Sequence, residues 1–155
     1  SLYAWTKASN TELVQNYGRW YDLPYAITYF YNVYGLRERA GSYGTVVEIF
    51  RQKKLKGEAL GVNSPGTQKR NFTHVDDIVE GLVLVGERGM GDEFGLGSPE
   101  SYSVLEVAEM FGGPIEMRPE TAGNRMDATP DTTKSEGLGW KPTHHLADYI
   151  AGRTV

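Results

Sequence analysis

Tyr3 and Lys7 stand four residues apart in the segment Tyr3-Ala4-Trp5-Thr6-Lys7. In a helix that spacing places the ammonium one turn from the phenol, on the same face. A Tyr titrates near 10 in isolation, and a neighbouring cation favours the phenolate, which would make the phenol a general acid/base usable near neutral pH. Alone the pair is weak, since with ten Tyr in 155 residues a Tyr four positions before a Lys arises by chance in roughly every second such chain. Its meaning depends on what positions it.

The elements around it alternate between helix and strand. Residues 4–21 carry Leu13, Tyr17 and Trp20 at helical spacing and end at Asp22-Leu23-Pro24. Residues 25–31 (YAITYFY) are β-branched and aromatic, the composition of a buried strand. A Gly- and Arg-rich loop follows over 35–44, then a helix over 45–56. Two short strands, 58–62 and 71–75, flank Asn63-Ser64-Pro65-Gly66-Thr67 and are expected to form a hairpin. Asp76 is the expected N-cap of a helix with the stripe Ile78, Val79, Leu82, Val83 and Val85. A strand at 93–96 precedes Ser103 and Glu106, which have the spacing of a capping box. A strand at 115–117, an extended loop over 119–131 and short helices at 132–138 and 145–151 complete the chain. This order favours an α/β or α+β fold in one domain.

Bulk properties exclude several classes. A 17.2 kDa chain with 39% hydrophobic and 12% aromatic residues is an ordinary globular protein. A net charge of −4 and a pI near 5.4 argue against a general nucleic-acid binder. Cysteine is absent, which removes disulfides, thiolate metal sites and a Cys nucleophile. No apolar run reaches the length of a membrane span, and a cytoplasmic location is expected. Ser1 is not preceded by Met, which suggests a processed or truncated chain. The chain holds no G-x-G-x-x-G and no P-loop.

Five segments occur in an informative order: YAWTK (3–7), ITYFYNVYGLRE (27–38), GEALGVNSPGTQKRNFTHVDDIVEGLVL (57–84), FGLGSPESYSVLEVAE (94–109) and DTTKSEGLGWKP (131–142). Together they resemble the C-terminal half of the NAD-dependent nucleotide-sugar epimerase/dehydratases, the extended short-chain dehydrogenase/reductase family. The resemblance implies an α/β fold made of the end of a Rossmann domain and a small substrate-binding domain. It also implies that the glycine-rich phosphate loop and a catalytic Ser or Thr belong to a half preceding Tyr3, absent from this chain.

Several roles follow from that resemblance. Tyr3 corresponds to the catalytic acid/base, and Lys7 to the residue that lowers its pKa and holds the nicotinamide ribose of NAD. Phe30 and Tyr31 correspond to a strand end that contacts the nicotinamide. Asn32 and Arg70 correspond to residues that bind the diphosphate of a nucleotide-diphosphate sugar. Asn124 stands where the family's R-x-G-D motif has Asp, with Thr where it has Arg; Arg118 and Arg125 are candidate replacements. Leu36 replaces a usual Pro and Asn71 a usual Asp. The implied reaction is 4-epimerisation of a UDP-hexose through a 4-keto sugar, with dehydratase, decarboxylase and reductase activities, or a non-catalytic substrate-binding fragment, as alternatives. The first helix is implied to join a dimer's helical bundle, so self-association as a homodimer is expected.

Metal ligation is not expected. Asp76, Asp77 and Glu80 read as helix-dipole partners in a first turn. His74, His144 and His145 show no metal-ligand spacing, and the last two are expected to be solvated.

Overall fold

The structure, a computed structural model, describes residues 2–41, 44–120 and 129–153. Six helices and eight short strands alternate along it. They are α1 (Leu2–Tyr21), β1 (Ala26–Phe30), β2 (Val33–Tyr34), α2 (Val46–Leu55), β3 (Leu60–Asn63), β4 (Lys69–Asn71), β5 (Thr73–His74), α3 (Val75–Arg88), β6 (Gly91–Leu96), β7 (Ser101–Ser103), α4 (Val104–Phe111), β8 (Ile115–Arg118), α5 (Thr133–Gly137) and α6 (Leu146–Ala151). The fold is α/β, as expected. Strand pairs β1–β6, β2–β5 and β3–β8 are parallel, and β4–β7 is antiparallel.

These pairings correct the expected hairpin. β3 and β4 do not pair with each other. Leu60–Asn63 runs beside Ile115–Arg118, and Lys69–Asn71 beside Ser101–Ser103. The Asn63–Thr67 turn therefore moves the chain from one strand pair to another. The choice is set by burial: Leu60 and Val62, alternating along β3, face the core formed by Val47, Phe50, Phe72, Val107, Phe111, Leu146 and Ile150.

The capping box forms as expected. The Glu106 carboxylate accepts from the Ser103 N–H at 2.6 Å, and the Ser103 hydroxyl oxygen accepts from the Glu106 N–H at 3.1 Å. α3 starts differently. His74, not Asp76, is its N-cap: the chain there is extended (φ −68°, ψ 144°), and Nδ1 accepts from the Asp76 N–H at 3.3 Å. Of the predicted α3 stripe, Ile78 and Val85 are buried, whereas Val79, Leu82 and Val83 face outward.

Asp77 is likewise not a solvated helix-dipole partner, because it is fully buried. Its carboxylate accepts from the Thr143 N–H and hydroxyl, from the His144 N–H and, at 2.8 Å, from His144 Nδ1. The Trp140 indole N–H donates to the Asp77 carbonyl at 2.8 Å. α3 thereby clasps residues 140–144, and buried Trp140 packs with Ile78 and Leu96. Burial alone would push the Asp77 carboxyl up, but these hydrogen bonds outweigh it and hold the group below the usual range.

α1 lies beside β1 with an open groove between them. Gln15 donates to Asp92 on β6 at 2.7 Å, and no residue of α1 is buried. Leu13, Tyr17 and Trp20, the predicted stripe, are all exposed. Among the described residues no helix is long and apolar enough to cross a membrane.

Candidate functional site

Two cavities gather most of the residues that the sequence singled out. The first is a groove of about 790 Å³ between α1 and β1. Tyr3, Lys7, Thr11 and Gln15 line its helical wall, and Ile27, Thr28, Tyr29 and Phe30 its strand wall. Lys7 Nζ lies 5.9 Å from the centroid of the Tyr3 ring, as helical spacing predicts. Tyr3 is 73% exposed, so the phenol stands at an open rim. Phe30 is the last residue of β1, and the carboxyl end of a parallel strand is where ligands of α/β sheets bind. Tyr31 lines neither cavity. It is half-buried against Gly97, where a Cβ would collide with its ring.

The second cavity, about 460 Å³, is lined by Asn32, Thr45, Asn63, Gln68, Arg70 and Phe72, with Gly61 in its wall. Asn32 leaves β1 in a left-handed conformation (φ 37°), which Asn tolerates better than most residues. Its side-chain N–H donates to the Asn71 carbonyl at 3.0 Å, and its own carbonyl accepts from the Thr73 N–H at 3.3 Å. Asn71 in turn donates to the Ser98 carbonyl at 2.9 Å. This chain of amides sets the end of β1 against the strand that carries Arg70. The Asn71 amide thus has a bonding role at the position where the family pattern has Asp.

Two features of this cavity were not evident beforehand, and a third had been a candidate. Gln68 is 4% exposed, and its side-chain Oε1 has no hydrogen-bond partner. Positions 68, 70 and 72 alternate along extended chain, which puts all three side chains on one face; that spacing was the available signal. Thr45, whose hydroxyl is also buried without a partner, caps the N-terminus of ten-residue α2. Its backbone N–H donates to Glu38 Oε1 at 2.6 Å, and burial raises the Glu38 carboxyl above its ordinary value despite that bond. Arg118 also reaches the cavity wall, since a Cβ on Gly61 would collide with its guanidinium. Asn124 and Arg125 lie outside the described residues.

A cationic guanidinium, side-chain amides and a helix N-terminus form a donor set suited to a phosphate ester. The groove beside it presents a phenol, an ammonium and an aromatic wall. Phe30 of the groove and Asn32 of the second cavity are two positions apart in the chain, with Tyr31 between them.

Known proteins share this sequence pattern and fold. Residues 1–97 match the NAD dependent epimerase/dehydratase family. UDP-glucuronic acid decarboxylase 6 of Arabidopsis thaliana is 34% identical over 143 residues, covering 88% of this chain and 41% of the decarboxylase. The crystal structure of Thermotoga maritima UDP-glucose 4-epimerase with UDP-glucose superposes with a TM-score of 0.88 at 26% identity, covering 96% of this chain and 50% of that one. The Thermus thermophilus UDP-glucose 4-epimerase complex with NAD gives a TM-score of 0.88 at 25% identity, with 99% and 53% covered. The chain therefore spans between two-fifths and about half the length of these relatives. On its sequence match and its fold, this chain belongs to the NAD dependent epimerase/dehydratase family.

Proposed function

We propose that this chain forms the nucleotide-sugar side of an NAD-dependent enzyme that oxidises C4 of a UDP-sugar, with 4-epimerisation as the outcome. The observation that carries the reading is the shared cavity of Asn32 and Arg70, two residues with no local relation in sequence, beside the groove of Tyr3 and Lys7. Arg70 offers the diphosphate a planar fork of donors, and the α2 N-terminus adds a partial positive charge. Asn32, two positions after Phe30 of the groove, holds the sugar-proximal phosphate.

The residues of the groove fit the nicotinamide end of NAD: Phe30 offers an aromatic strand end, with Tyr31 the residue after it, and Lys7 an ammonium for ribose hydroxyls. Bound NAD supplies the acceptor for the C4 hydride. Tyr3 takes the proton of the 4-hydroxyl as the C4–H bond breaks, leaving a 4-keto sugar. Lys7, one helical turn away, places its ammonium 5.9 Å from the centroid of the Tyr3 ring. Epimerisation would follow if the hydride came back to the opposite face of C4 while Tyr3 returned its proton to the oxygen.

A second reading, decarboxylation of a UDP-uronic acid, is favoured by the name of the 34% identical relative. A 4-ketone places the C6 carboxylate β to a carbonyl. The C5–C6 bond can then break with its electrons passing into the ketone, and CO₂ leaves.

Isothermal titration of the chain with UDP and separately with NAD tests the proposal. UDP binding that is lost in Arg70→Ala supports the nucleotide-sugar role, and absence of UDP binding overturns it. NAD binding by this chain shows that the groove holds cofactor unaided, whereas UDP binding without NAD binding identifies a substrate-binding part. CO₂ release from UDP-glucuronate, against conversion of UDP-glucose to UDP-galactose, separates the two reactions.

A further inference from the structure

We propose that His74, Asp76 and His144 form a binding site for a divalent transition-metal ion, with Zn²⁺ as the fitting occupant. One ligand atom from each of the three lies within 4.8 Å of the other two. The cluster lies where β5 passes into α3 and meets the segment before α6, and none of its members lines either cavity described above. Sequence spacing alone gave these histidines no metal reading. The rings of His74 and His144, 70 positions apart, stack with centroids 4.3 Å apart and planes at 20°.

Two observations point to metal rather than to simple packing. First, His74 Nδ1 lies 3.6 Å from the Asp76 carboxylate. Tetrahedral zinc, with bonds of about 2.0–2.2 Å to nitrogen and oxygen, separates its ligand atoms by about 3.4 Å. The one lone pair of that nitrogen accepts the Asp76 N–H at 3.3 Å, so a bound ion would take the place of this N-cap bond. Second, His144 already has the partner that metal-ligating histidines use. Its Nδ1 bonds the fully buried Asp77 carboxylate at 2.8 Å, which leaves the Nε2 lone pair for a metal.

The third ligand must move. Coordination requires the His144 ring to tilt out of the stack about its Nδ1–Asp77 contact, so that Nε2 turns toward His74 and Asp76. Its side chain is 43% exposed, and the backbone N–H of His144 and the Thr143 groups keep Asp77 bonded meanwhile. Asp76, 64% exposed, supplies an oxygen at the solvent rim, and water completes the tetrahedron. Imidazole nitrogen with one carboxylate suits zinc better than magnesium, which takes oxygen ligands. A bound ion would pin the segment leading into α6 to the start of α3, alongside the Asp77 clasp.

The test is titration of the chain with ZnCl₂ near neutral pH in a non-chelating buffer, with MgCl₂ as the comparison. Saturable binding of one Zn²⁺ per chain is expected, with a rise in the thermal midpoint that EDTA reverses. His144→Ala and Asp76→Asn, both at exposed side chains, should each abolish the saturable phase. His145→Ala should leave it intact, since His145 instead contacts Glu100 at 2.6 Å. No saturable Zn²⁺ binding, binding unchanged in both ligand variants, or binding lost only in His145→Ala would each overturn the proposal.

Discussion

The side-chain amide of Asn32 donates to the backbone carbonyl of Asn71 at 3.0 Å across 39 positions of sequence. The chain just past the end of β1 is thereby fixed to the strand that carries Arg70. Replacing Asn32 by Ala removes this tie and leaves the carbonyl half-buried without its donor. A loss of about 1–1.5 kcal/mol, or about tenfold in UDP affinity, is expected. Calorimetric titration of the variant checks it, and an unchanged affinity would show that the tie does not position the cavity.

The capping box at α4 is a local device with a predictable cost. Ser103→Ala deletes the hydroxyl acceptor for the Glu106 N–H and is expected to destabilise the chain by about 1 kcal/mol. For a chain of this size that lowers the thermal midpoint by about 2–4 °C. Scanning calorimetry on both proteins measures the difference directly.

Glu48 predicts part of the acid limb of stability. It is 5% exposed, and its oxygens accept from Arg51 at 2.7 and 2.8 Å. The Arg51 bonds, against the opposing effect of burial, hold its carboxyl below the ordinary 4.5. The folded state therefore takes up this proton less readily than the unfolded chain. The stability Glu48 contributes is complete above the unfolded value and is lost as pH falls through the lower, folded one. Urea midpoints measured between about pH 6 and 3 should fall less steeply in Glu48→Gln than in the unsubstituted chain. Parallel curves would remove Glu48 from the explanation of acid lability.

α1 buries none of its residues, while Leu13, Val14, Tyr17, Trp20 and Tyr21 are exposed along it. An apolar helix face of this extent drives association. Sedimentation velocity is expected to show concentration-dependent self-association that Leu13→Glu combined with Trp20→Glu suppresses. A chain that stays monomeric at every concentration contradicts this expectation.

What was legible in the sequence was local. Helical spacing predicted the Tyr3–Lys7 geometry, since four residues make about one turn and nothing distant is needed to bring the groups together. Ser103 and Glu106 announced their own capping box for the same reason. The order of motifs identified the family, and the cavity holding Asn32 and Arg70 is consistent with it. Gln68 was legible in principle from its two-residue spacing to Arg70, yet its unpartnered oxygen could not be seen without the fold around it.

Pairing and burial across long separations belonged to the tertiary structure. The 58–75 region looked like a hairpin because a strong turn separates two strand-like segments. Backbone hydrogen bonds are nearly indifferent to sequence, so the alternating Leu60 and Val62 chose the partner that buried them, β8. Asp76 and Asp77 looked alike at a helix start, and only the arrival of Thr143 and His144, 66 and 67 positions later, buried one of them and left the other at the rim of a histidine pair. The sequence by itself determined the helices, the α4 capping box and the residue types of the candidate site, because those depend on neighbours within a turn. The fold alone decided which of these residues share a cavity, because that depends on contacts whose partners no local pattern names.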